Sequence, residues 1–94
     1  MLYKLRYSGR FKHQYKKLCR SGQNKVIAEL IKIMNLLADG KKLPEKNLVH
    51  KLSGDFEGFY ECHIFPDWLL IYCLYKDILV LEFVATGTHS ELFD

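Results

Sequence analysis

The apolar positions of this chain change period several times, and each change marks an element. Residues 2–7 alternate, with Leu2, Lys4 and Arg6 on one parity and Tyr3, Leu5 and Tyr7 on the other, which predicts a strand. Ser8-Gly9 interrupts it, and Ser8 is placed to cap the helix that follows. Phe11, Tyr15, Leu18 and Cys19 then recur at helical spacing, while Lys12, His13, Lys16, Lys17 and Arg20 form a basic outer face. Val26, Ile27, Leu30, Ile33, Met34 and Leu37 make one broad stripe on a second helix over residues 24–38, stopped by Gly40. The short turn between them, with Gly22, predicts an antiparallel helical hairpin. Residues 41–55 read as a loop around Pro44, Asn47, Ser53 and Gly54. Strands follow over 58–65, 68–75 and 78–85, joined by Pro66-Asp67 and Lys76-Asp77 turns, so they are antiparallel neighbours. The tail leaves through Gly87 and makes one helical turn. The pattern predicts one α+β domain over residues 1–94, ordered β-α-α-β-β-β, with the hairpin on a mainly antiparallel four-stranded sheet.

Composition agrees with a folded chain: of 94 residues, 49% are hydrophobic and 27% charged. The apolar run from Trp68 to Leu74 is too short to cross a bilayer, and Lys4 and Arg6 break any secretory pattern, so a cytoplasmic location without membrane contact is expected. The net charge of +3 hides an asymmetry. Residues 1–51 carry 13 Lys and Arg against three acids, and residues 52–94 carry Lys76 alone against eight. A half near +10 suits a phosphate backbone, and it equally describes solvated helix faces.

Candidate chemistry rests on histidine. His50 lies in the loop, His63 near the end of a strand four residues before Asp67, and His89 just past the Gly87 turn. Strand ends and loops bring side chains to one rim of a sheet. Imidazole titrates near neutrality, so such a cluster can move protons without extreme tuning. Cutting RNA through its own 2′-hydroxyl needs a base, an acid for the departing 5′ oxygen and a positive group at the phosphate. The same four residues are also zinc-ligand types, yet no two histidines have tight zinc spacing, so neither metal nor cofactor is expected. Cys19, Cys62 and Cys73 lack CxxC spacing and read as structural. His13 reads as a solvated helix residue.

Three segments carry a resemblance. His63-Ile64-Phe65-Pro66-Asp67-Trp68-Leu69-Leu70-Ile71-Tyr72 resembles the H-x-x-P-D-W core of YafQ-type toxins in the RelE superfamily. Thr86-Gly87-Thr88-His89-Ser90-Glu91-Leu92-Phe93 resembles their C-terminal motif, and His50-Lys51-Leu52-Ser53-Gly54 with Phe59-Tyr60-Glu61-Cys62-His63 is similar in residues and spacing. The likeness runs from His50 to Phe93 and is architectural before that. It implies a type II toxin that cuts mRNA in the A site of the 70S ribosome, with His50, His63, Asp67 and His89 at the catalytic positions. His50 is then the expected base and His89 the expected acid, with His63 and Asp67 at the phosphate. Trp68 supports the site and Phe93 stacks at its edge, while Lys51, Lys12, Lys16, Lys17 and Arg20 offer RNA contacts.

One position departs from the family. Ala85 stands where the family commonly carries an arginine, and the strand over 78–85 holds no base at all. That leaves a variant using a lysine from elsewhere, a weakened toxin or a substitution introduced for expression. The resemblance further implies a RelB- or DinJ-like antitoxin, joined in a heterotetramer that reaches operator DNA only through the antitoxin. Its acidic segment would cover the basic first helix, the histidine rim or both. Two rival readings remain: a ParE-like toxin that binds DNA gyrase without cutting RNA, and an inactive relative kept for operon autoregulation.

Overall fold

A computed structural model of the chain describes residues 1–93. The elements are β1 Lys4–Tyr7, α1 Gly9–Cys19, α2 Asn24–Ala38, β2 His50–Lys51, β3 Tyr60–Phe65, β4 Trp68–Tyr75, β5 Val80–Gly87 and α3 His89–Phe93. They form one sheet in the order β1-β5-β4-β3-β2, in which β1 runs parallel to β5 and the other pairs are antiparallel. The sheet therefore has five strands rather than four. The added strand, β2, lies inside the segment read as a loop, where His50 pairs with Glu61 and Lys51 with Tyr60. Two residues are too few to show a period of two. The last strand is also displaced, starting at Val80 instead of Ile78 and running to Gly87. Leu79 takes a left-handed backbone (φ 52), so the apolar pair Ile78-Leu79 turns outward and stays exposed.

Side chains alternate between the two faces of the sheet, and the two faces differ. One packs Cys62, Ile64, Leu70, Tyr72, Leu81 and Phe83 against Phe11, Leu18, Leu30, Ile33 and Leu37 of α1 and α2. The other carries a smaller cluster of Leu69, Ile71, Ala85 and Leu92, flanked by Leu52, Phe59 and Val84. The register breaks between the β4 residues Ile71 and Tyr72. Ile71 faces Ala85 and Tyr72 faces Phe83, so Val84 is an extra residue, a β-bulge. Phe83 therefore enters the helix-side core while Ala85 turns to the opposite face.

Helix α1 closes an edge. β1 pairs with β5 only as far as Phe83, which leaves the second half of β5 with bare backbone groups. The Ser8 hydroxyl accepts from Phe11 N–H at 3.0 Å, capping α1, and donates to Val84 O at 2.6 Å. Gln14 Oε1 accepts from Thr86 N–H at 2.8 Å. The five residues of α3 are too few to hold a helix alone. A reciprocal cap starts it: Thr88 N–H donates to Glu91 Oε1 at 2.9 Å, and Glu91 N–H donates to Thr88 Oγ1 at 3.2 Å. Gly87 allows this fold-back, because a Cβ there would lie 3.2 Å from Glu91 Oε1 and 3.4 Å from Leu92 Cδ2. Lys17 Nζ stands 3.6 Å from Glu91 Oε2, and Arg10 Nη2 donates to Leu92 O at 3.3 Å.

The Glu91 carboxyl is held below its usual range, first by the backbone hydrogen bond from Thr88 and then by the Thr88 hydroxyl and Lys17. A depressed folded value adds stability above the unfolded pKa, and that stability is lost as pH falls through the folded value. Glu91→Gln should therefore cost on the order of 0.5–1 kcal/mol at pH 7, the size of a lost cap at a partly exposed site. Urea unfolding at pH 7 and pH 3 checks this, since the difference from wild type should shrink at the lower pH.

Candidate active site

The sheet register lays the candidate residues out in two rows on the face away from the helical hairpin. One row runs His50, Glu61, Ile71, Ala85 across β2, β3, β4 and β5. The next runs His63, Leu69, Gly87. Strand spacing puts the Cα atoms of His63 and Gly87 about 10 Å apart, and His89 follows two residues later. The rim is thus built from β2, the end of β3 and the start of α3.

Glu61 is its buried centre. Its side chain is 5% exposed, with Oε1 at 3.1 Å from His50 Nε2 and 3.8 Å from His63 Nε2. His50 is half exposed, and its Nδ1 lies 3.0 Å from Leu48 O. Leu48 takes a left-handed backbone (φ 46), at the end of the short turn Glu45–Asn47. Both ring nitrogens of His50 thus face acceptors, and a ring that has taken up a proton is hydrogen-bonded at each end. His63 is 18% exposed, and its Nδ1 is buried with no partner among the described residues. Buried Asn47 donates from Nδ2 to His63 O at 2.7 Å, tying the segment that carries His50 to the strand that carries His63.

Asp67 and His89 meet through the backbone. Asp67 Oδ1 accepts from His89 N–H at 3.3 Å, so the β3–β4 turn steadies the start of α3. His89 and Phe93, one helical turn apart, bring their rings within 5.6 Å. Trp68 shares its parity with Leu70 and Tyr72 and packs on the helix side. Its Nε1 donates to Thr86 Oγ1 at 2.9 Å, which donates to Leu69 O at 2.8 Å. It lies on the face of the sheet opposite His63.

The basic residues are more scattered than the charge pattern suggests. Lys51 sits on the opposite parity from His50, with Nζ 5.9 Å from the centre of the Tyr60 ring on the helix side. Lys12 and Lys16 border a groove with Tyr7, Tyr15 and Met34, while Arg20 ends α1. Of the five, Lys17 is the one that pairs with α3 among the described residues, through Glu91. Ala85 is fully buried beneath Leu92 and beside Leu69 and Ile71. The two buried thiols stay protonated: burial, then the charge of Glu61, pushes Cys62 up to about 12, and burial pushes Cys73 up to about 11, so neither is a nucleophile.

Glu61 is the residue that the sequence reading passed over. A carboxylate between Tyr60 and Cys62 in an apolar strand, two residues before His63, must share the face of that histidine. That parity is a signal available from sequence.

A helical hairpin on one face of the sheet and a histidine–carboxylate rim on the other define the class as an α+β domain of RelE-like architecture. Residues 3–94 match the family described as "Bacterial toxin of type II toxin-antitoxin system, YafQ". The chain is 34% identical over 90 residues to the mRNA interferase toxin YafQ of Escherichia coli, covering 95% of this chain and 94% of that protein. It superimposes on the crystal structure of the Escherichia coli DinJ-YafQ complex with a TM-score of 0.87 at 32% identity, over 98% of this chain and 99% of that one. A metal-bound toxin from Helicobacter pylori gives a TM-score of 0.87 at 36% identity, over 99% and 100% of the two chains. This chain belongs to the YafQ family of type II toxins. Among the described residues, no group of three or more His, Cys, Asp or Glu side chains is arranged to hold a metal ion. No described helix is long and apolar enough to cross a membrane.

The Asn47 bond yields a structural expectation. Asn47→Ala removes a buried donor to His63 O, should cost about 1–2 kcal/mol, and should loosen the segment that carries His50. Native-state hydrogen exchange is the measurement: the amides of Leu48 and Leu52 should lose protection before those of β4.

Proposed function

We propose that the protein is an endoribonuclease that cuts mRNA in the ribosomal A site, using acid–base chemistry supplied by its own side chains. The observation that carries this reading is Glu61, buried between His50 and His63, on the rim that also holds Asp67 and His89. A surface that only binds a partner gains little from burying a carboxylate, which costs several kcal/mol unless it is paired. In the reaction, His50 takes the 2′-hydroxyl proton on Nε2, which exchanges its contact with Glu61 for the hydroxyl while Nδ1–H donates to Leu48 O. Its contacts with Leu48 O and Glu61 then stabilise the charged ring, as a general base requires after the transfer. His89 protonates the 5′ oxygen, Asp67 fixes the start of α3, and Phe93 stacks on a base at the rim. The name of the Escherichia coli relative, an mRNA interferase, supports the substrate. The DinJ-YafQ complex supports an antitoxin of the same kind as partner, with activity in the cytoplasm once the toxin is released.

The test is a translation reaction programmed with a defined message, with the cut ends mapped by primer extension. Wild type should cut, and His89→Gln should lower the rate by about 100-fold or more. Glu61→Gln, which keeps the shape and removes the charge, should lower it by about 10- to 100-fold without unfolding the protein. Cutting should survive phenanthroline, which strips transition metals and spares the magnesium that ribosomes need. An intact message with wild-type protein sinks the nuclease reading, and gyrase inhibition in a supercoiling assay would then favour the ParE-like one.

A further inference from the structure

Among the described residues, the rim holds no lysine or arginine. As the 2′ oxygen attacks, the phosphate gathers negative charge, and a fixed cation is the usual source of relief. Among the described residues, the charged rim side chains other than histidine are Glu61 and Asp67, both acidic. Residue 85 lies in the same cross-strand row as His50 and Glu61 but is an alanine sealed under Leu92. Lys51 faces the other side of the sheet, and Lys17 is engaged by Glu91.

We propose that Arg10 supplies the missing cation and contacts the phosphate at the scissile bond. Arg10 opens α1, and its Nη2 reaches across 82 positions of sequence to donate to Leu92 O at 3.3 Å. That carbonyl is at the C-terminal end of α3, beside Phe93 and within one turn of His89, about 5 Å along the helix axis. The bond is long for an N–H donor and uses one of the five hydrogens of a guanidinium, so the planar fork keeps donors for a phosphate. The position follows from the fold. Because Ser8 is bonded to Val84 O, the first turn of α1 lies against the end of β5, and Arg10 is carried to the side on which α3 turns back. The guanidinium thus reaches the end of α3 from the helix at the sheet edge, within one helical turn of His89.

The proposal rests on the nuclease reading, and the experiment separates the two. In the same cleavage assay, Arg10→Ala should lower kcat about 100-fold, the usual loss for one charge-stabilising donor, with KM changed by less than about threefold. Arg10→Lys should keep activity within about tenfold of wild type. Adding Ala85→Arg to Arg10→Ala should restore at least about tenfold, because the register places residue 85 in the row of Glu61. A tether that only held α3 would not be replaced by a charge on β5. If Ala85→Arg will not fold, ethylguanidinium added to Arg10→Ala replaces it, and saturable recovery of kcat is expected. A wild-type protein that leaves the message intact overturns the nuclease reading and this proposal with it. Equal cutting by wild type and Arg10→Ala overturns the proposal alone. So does a loss shared by Arg10→Ala and Arg10→Lys that follows a fall in unfolding midpoint and is restored by neither rescue.

Discussion

Between Phe83 and Ala85 the ladder of β5 against β4 holds one residue more than its partner, and the two-sided character of the protein depends on it. Were Val84 paired in an unbroken ladder, residues 83 and 85 would share a face, and Phe83 belongs in the helix-side core with Phe11. The bulge lets β5 serve that core over its first half and the opposite face over its second. Gly87 then arrives in the row of His63 and Leu69, and α3 starts where Asp67 can accept from His89 N–H. It also bares the edge that Ser8 and Gln14 satisfy, which fixes α1 along the end of β5. One inserted residue therefore couples the core, the rim and the placement of two helices.

Glu61 adds an energetic constraint. A carboxylate taken from water is expensive, and its cost is offset here by imidazoles on two different strands. The pairing holds the two-residue strand β2 in register, since two ladder pairs alone make a weak strand. Asn47, from the turn before it, bonds the backbone of His63 and works in the same sense. Chemistry and architecture share these groups, so replacing Glu61 by an apolar residue would loosen β2 as well as discharge the rim.

Much of the fold was legible because its signals are periodic. The α2 stripe reads as a helix over 24–38, as observed, and the Ser8 cap and the β4 run are equally plain. The parts that were missed lack a period. β2 is too short, and the Ile78-Leu79 pair is apolar yet lies in a turn because Leu79 is left-handed. At the site, a contiguous motif conceals alternation: Asp67 turns to α3, while its neighbour Trp68 turns to the helix-side core. Lys51 departs from His50 for the same reason. Glu61 was readable from parity alone. Nothing local foretells Arg10, whose contact lies 82 positions away in sequence.

The charge asymmetry takes on a more definite meaning once the helices are placed. The basic first half and acidic second half meet where Lys17 of α1 pairs with Glu91 of α3, while the N-terminal ammonium lies 3.7 Å from Asp39 within the first half. Pairs of this kind are exposed, contribute little each and are screened by salt. Most of α1's cations are not consumed in this way. Lys12 and Lys16 stand beside Tyr7 and Tyr15, where aromatic rings and positive charge offer a polyanion both stacking and attraction. Long-range steering depends on the summed field, whereas the chemical step depends on one cation at one phosphate. A protein can therefore hold a strongly basic helix and still owe its rate to one arginine, the role proposed for Arg10.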